Sequence, residues 1–98
     1  MLTIGQIQKI TKGKLLQGDA ATTVQGVSIN SRLISKGNVF IAIKGERFDG
    51  HGFIRAAIHQ GAKAVIVSKK IICSEGIAVI RVKDTARALG HIAAWHRR

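Results

Sequence analysis

The 98-residue chain has no proline, no tyrosine, one cysteine and only five carboxylates. Each shortage excludes something. Cys73 alone cannot form an internal disulfide or supply a cysteine-based zinc site, which points to a reducing, cytoplasmic setting. No apolar run approaches the ~20 residues that span a bilayer, so no membrane partner is expected. Met1-Leu-Thr-Ile is soon interrupted by Gln6, Gln8 and Lys9, which excludes a secretory signal. Three phenylalanines and one tryptophan are too few for a base-stacking platform, and no zinc-finger, RNP or G-x-x-G signature occurs.

The scarcity of acids leaves sixteen Lys and Arg against five Asp and Glu, a formal charge of +11. Such a balance attracts polyanions. The basic residues are nevertheless scattered from Lys9 to Arg98, paired only at Lys69-Lys70 and Arg97-Arg98, as on a solvated surface. A nucleic-acid partner is therefore disfavoured. Aliphatic residues are plentiful, and a hydrophobic content of 46% suits one small α/β domain over residues 1–98 with a single modest core.

Thr3 to about Lys12 has the pattern of an amphipathic helix. Thr3 and Gln6 have capping-box spacing, Ile4, Ile7 and Ile10 share a side, and Gly13 is placed to stop it. Lys14–Gln17 is a strand candidate ended by Gly18-Asp19. Residues 24–30 alternate apolar and polar like one half-buried strand. After a turn at Lys36-Gly37-Asn38, Val39–Ile43 is apolar without alternation, as in a strand covered on both faces. A helix from about His51 to Gln60, with Phe53, Ala57 and Ile58 inward, leads through Gly61 to a strand at Ala64–Ser68. That completes a βαβ unit. Ile77–Val82 adds a strand, and Asp84 caps a last helix whose stripe is Ala88, Leu89, Ile92 and Ala93. The whole predicts a mixed β-sheet with flanking helices. His96-Arg97-Arg98 ends the chain without a cap, as a domain excised from a longer chain would.

The search for catalytic groups returns little. Ser28, Ser31, Ser35 and Ser68 lack a G-x-S-x-G elbow. The histidines lack metal spacing; His91 and His96 diverge on the last helix. Cys73 has Lys69 and Lys70 nearby, which could lower its pKa, but an incidental loop thiol is the simpler reading. Glu46 and Asp49 are close enough for an acid–base pair, although a turn role suits Asp49 better. A P-loop needs G-x-x-x-x-G-K-[ST]; Gly45–Gly50 is followed by His51 and fails. Two loops remain, Asn30-Ser31-Arg32 and Lys44–His51, each leaving the carboxyl end of a strand, where α/β sheets dock ligands. Their hydroxyl, amide, guanidinium, ammonium and the ring of Phe48 would suit a nucleotide. Equally, Gly45 and Gly50 would only shape a turn while Phe48 packs on the core.

A resemblance favours the first alternative. Ser28-Ile-Asn-Ser-Arg32, Gly37-Asn-Val-Phe-Ile-Ala-Ile-Lys-Gly-Glu-Arg-Phe-Asp-Gly-His51, Phe53, Gly61-Ala-Lys-Ala64 and Val82-Lys-Asp-Thr85 resemble the N-terminal domain of the Mur ligases across essentially the whole chain. The Lys-Gly-Glu-Arg-Phe-Asp-Gly-His string is most similar to the type that adds D-Ala-D-Ala to UDP-N-acetylmuramoyl-tripeptide. The resemblance implies recognition of the uridine diphosphate end of that precursor, with no cofactor in this segment. ATP and magnesium would belong to the full-length cytoplasmic ligase, whose central and C-terminal domains are absent from this chain. Ser31 matches the family serine that bonds uracil, and Arg32 follows it. Glu46, Arg47 and Phe48 match the loop that closes over the uridine, through backbone amides as much as side chains. Lys44 and His51 are secondary candidates facing phosphate or ribose.

Asn30 replaces the family's usual Asp, Lys36 and Asn38 stand where Pro and Asp are usual, and Gly52 replaces an often charged residue. The alternatives are a related ligase type that adds the third peptide residue, a small basic nucleic-acid-binding domain, and a binding domain that kept the fold but lost the ligase.

Overall fold

The computed structural model describes residues 2–96; Arg97 and Arg98, and with them the basic pair and the uncapped chain end, lie outside the described residues. Seven strands and three helices follow one another: β1 (Leu2–Thr3), α1 (Ile4–Thr11), β2 (Lys14–Gln17), β3 (Thr23–Val24), β4 (Val27–Ser28), β5 (Val39–Ile41), α2 (Ile54–Gln60), β6 (Ala64–Val67), β7 (Ala78–Arg81) and α3 (Thr85–His96). Five strands form a mixed sheet in the order β2-β7-β6-β5-β4. Only β2 runs antiparallel to its neighbour. β1 and β3 make a separate antiparallel pair.

The non-alternating apolar runs are strands covered on both faces. Val39, Ile41, Ala64, Ile66, Ala78 and Ile80 pack with Ile4 and Ile7 of α1 and Ala88 and Ile92 of α3. The residues between them, among them Phe40, Ala42, Val65, Val67 and Val79, pack with Ile54 and Ala57 of α2. Each fully buried Ile, Val or Phe contributes about 1.5–3 kcal/mol of apolar transfer.

The capping box forms as the spacing predicts: Thr3 Oγ1 accepts the Gln6 amide at 3.1 Å while Gln6 Oε1 accepts the Thr3 amide at 2.9 Å. Asp84 Oδ1 likewise accepts the Arg87 amide at 3.1 Å at the start of α3. Two expectations need correction. The strand expected over 24–30 is two strands in two sheets. Val24 and Val27 both pack on the α1/α3 core, and a spacing of three cannot put two side chains on one face of a continuous strand. The chain therefore breaks at Gln25-Gly26, whose backbone bonds Gly37 and Val39. The helix expected from His51 begins as a 3₁₀ turn, Gly50–Phe53, so α2 starts at Ile54 and Phe53 points outward rather than into the core.

Helix α1 ends just before Gly13, as the sequence places its stop. Its left-handed residue is Lys12, with φ 57°, and not Gly13. Gly13 is needed for close approach: a Cβ there would lie 2.6 Å from Ile80 Cγ2 and 3.0 Å from the Arg81 carbonyl. Gly13→Ala is expected to lower stability by about 1–3 kcal/mol through overpacking; urea unfolding of the variant against the parent chain checks this.

Candidate functional site

The carboxyl ends of β4 and β5 open into a pocket of about 590 Å³. Asn30 Oδ1 accepts the Arg32 amide at 2.9 Å and caps the 3₁₀ turn Ser31–Leu33, so Asn performs here the capping an Asp would. The turn places Ser31 and Arg32 on the pocket wall. Ser31 is mostly buried as a residue, but its hydroxyl stays accessible and makes no hydrogen bond among the described residues. Phe48 and Phe53 stack with ring centroids 5.5 Å apart at 16° and form the opposite wall. Six large apolar side chains stay exposed among the described residues, and four of them, Ile29, Leu33, Phe48 and Phe53, line this one pocket. These four form one patch rather than the scattered single hydrophobics of an ordinary surface.

The loop that carries Phe48 is a narrow hairpin. Gly45 donates to the Phe48 carbonyl and Gly50 to the Ile43 carbonyl, both at 2.7 Å. The amides of Glu46, Arg47 and Phe48 have no acceptor among the described residues, and the three side chains are exposed. Behind the hairpin sits Asp49. Its carboxylate accepts from the His51 amide at 3.0 Å, from His51 Nδ1 at 2.6 Å and from Lys69 Nζ at 2.9 Å, with Lys44 Nζ at 3.6 Å. The Ser68 amide donates to His51 Nε2 at 3.0 Å. That bond makes Nε2 an acceptor, so the proton sits on Nδ1 and points at Asp49. Lys69 first, then the His51 amide and ring, holds the Asp49 carboxyl well below the usual carboxylate range.

The structure thus brings Ser31, Arg32 and Phe48 to one pocket. Glu46 and Arg47 stand at the tip of the hairpin beside it. Lys44 and His51 face Asp49 instead; both ring nitrogens of His51 are engaged within the chain and its side chain is only 5% exposed. Burial pushes the Cys73 thiol up, opposite to activation by its lysine neighbours. No metal-holding group of three His, Cys, Asp or Glu exists among the described residues.

Sequence reasoning missed Phe53, Ser68, Lys69 and Thr85, whose buried hydroxyl accepts the Lys44 amide at 3.1 Å. Phe53 was hidden because it lies four residues from buried Ala57, a helical spacing that the 3₁₀ turn invalidates. Ser68 and Lys69 were findable, since the end of β6 must lie beside the end of β5 in a parallel pair.

A model of the Mur ligase family, described as its catalytic domain, matches residues 23–97. The chain is 50% identical over 70 residues to the UDP-N-acetylmuramoyl-L-alanyl-D-glutamate–2,6-diaminopimelate ligase of Aquifex aeolicus, covering 71% of this chain and 14% of the relative. It is 38% identical over 96 residues to the UDP-N-acetylmuramoyl-tripeptide–D-alanyl-D-alanine ligase of Escherichia coli, covering 98% of this chain and 20% of the relative. A crystal structure of MurF from Acinetobacter baumannii superposes with a TM-score of 0.85 at 34% identity, over 98% of this chain and 21% of that one. The chain therefore spans about a fifth or less of the length of these proteins.

The depressed Asp49 carboxyl ties stability to pH with a definite sign. A group whose folded pKa lies below its unfolded one contributes stability above the unfolded value, about 4, and that stability is lost as pH falls from there toward the folded value. In Asp49→Asn this part of the acid limb is expected to vanish. Thermal midpoints of the two proteins, measured from neutral pH downward, should converge on acidification; parallel curves would show that the hub carries no such linkage.

Proposed function

Because the chain belongs to the Mur ligase family, matching its N-terminal domain, we propose that the aromatic pocket holds the uridine of a UDP-N-acetylmuramoyl-peptide. The observation that carries this reading is the meeting in one pocket of a stacked Phe48–Phe53 pair and the Ser31 hydroxyl, which is accessible and makes no hydrogen bond among the described residues. A uracil is flat and carbonyl-rich. Its face suits the phenylalanines, and its edge suits the Ser31 hydroxyl and the open amides of Glu46, Arg47 and Phe48. Arg32 stands at the pocket as the cation for the diphosphate. Lys44 and His51 act indirectly: they hold Asp49, and Asp49 holds the base of the hairpin.

This segment would supply substrate recognition within a cytoplasmic ligase of peptidoglycan precursors. Of the two ligase types among its relatives, the one that adds D-Ala-D-Ala is favoured by the Lys44–His51 string and by the structural match to MurF. ATP and magnesium would be held elsewhere in a full-length ligase. The residues here do not fit them: the glycine loop Gly45–Gly50 lacks the Lys-Ser/Thr ending, and its glycine amides are consumed within the hairpin.

Amide-resolved NMR titration of the 98-residue chain with UDP and with UDP-N-acetylmuramoyl-tripeptide tests the site. Saturable shifts at Ser31, Arg32 and Gly45–Phe48, shared by both ligands, are expected. Ser31→Ala should weaken binding by about two- to tenfold, the worth of one hydrogen bond, and Phe48→Ala at least as much. Silence with both uridine ligands, with shifts over the basic surface on adding a DNA duplex and steep loss of binding with salt, would sink the assignment.

A further inference from the structure

A second cleft, of about 510 Å³, opens farther along the same edge of the sheet, where β7 meets β2, and it is lined by Lys12, Lys14, Arg81 and Lys83 together with Ser68. Every ion pair among the described residues converges on Asp49, so these four cations have none. Asp84, next to Lys83, is engaged in capping α3. Two local rules are broken here. Lys14 and Arg81 are direct cross-strand partners, a like-charge pairing that opposes sheet formation. Lys12 is the one non-glycine residue with positive φ among the described residues, at a helix end where glycine would relieve the strain. Gly13, between Lys12 and Lys14, lies so close to β7 that a Cβ there would meet Ile80 and the Arg81 carbonyl.

Strain and repulsion concentrated in one cleft point to a counter-ion that the fold is built to accept. We infer that Lys12, Lys14, Arg81 and Lys83 form a binding site for a compact phosphate-bearing anion, separate from the aromatic pocket and independent of what that pocket holds. The cleft has room for a phosphate-bearing anion, and its lining carries four side chains of like charge and no aromatic ring. Its position at the carboxyl ends of β6 and β7 is where parallel sheets receive ligands.

The test is thermal unfolding and amide NMR of the 98-residue chain with inorganic pyrophosphate, orthophosphate and UDP, sodium chloride holding ionic strength constant. Pyrophosphate should raise the midpoint saturably and shift Gly13, Ser68 and Val82; UDP shifting the same amides would show that a nucleotide diphosphate also reaches the site. Lys12→Gly should raise the midpoint of the unliganded chain yet weaken pyrophosphate binding, and Arg81→Gln should weaken it about tenfold, as loss of a charge-assisted bond does. The inference is overturned if pyrophosphate acts no differently from chloride, if either variant binds it as tightly as the parent, or if only a DNA duplex shifts these amides.

Discussion

Burial of the central strands on both faces is the constraint from which the rest follows. β5 and β6 have no exposed residue, and β7 exposes only Arg81 at its end. No polar side chain can be placed along such strands, so polar groups available to a ligand are displaced to where they finish. The parallel register puts the ends of β4, β5, β6 and β7 along one edge. Pocket, Asp49 hub and basic cleft lie in sequence along it.

Along that edge the groups divide by what they already hold. Asp49 satisfies His51, Lys69 and Lys44 together, and a carboxylate with so many donors is a fixed post rather than a reactive group. The Ser31 hydroxyl and the amides of Glu46–Phe48 have no partner among the described residues and are open to a ligand. Residues that looked alike as polar members of one loop thus part into those that shape it and those that face outward.

How legible this was depended on the range of the interaction. The capping box at Thr3–Gln6, the doubly covered runs of β5 and β6 and the mixed sheet follow from local pattern and were readable. So were Ser31, Arg32 and Phe48 as neighbours, because both loops leave adjacent strands. The break at Gln25-Gly26 was not, since it depends on two valines sharing a core from different sheets. Phe53 and the His51–Ser68 bond were also hidden: one turns on the 3₁₀ geometry of four residues, the other joins positions seventeen apart. The left-handed Lys12 was hidden beside a glycine, which local pattern would favour for that conformation, whereas Gly13 is held by its close approach to Ile80.

The bond from the Lys44 amide to Thr85 Oγ1 has a mechanical meaning. Thr85 is the first residue of α3, a rod of roughly 18 Å by its twelve residues. The hairpin that bears Phe48 is therefore tethered to one tip of a stiff lever whose other tip, near Trp95, is exposed. A load that tilts the lever at its exposed end reaches the hairpin through this single tether as well as through the shared core.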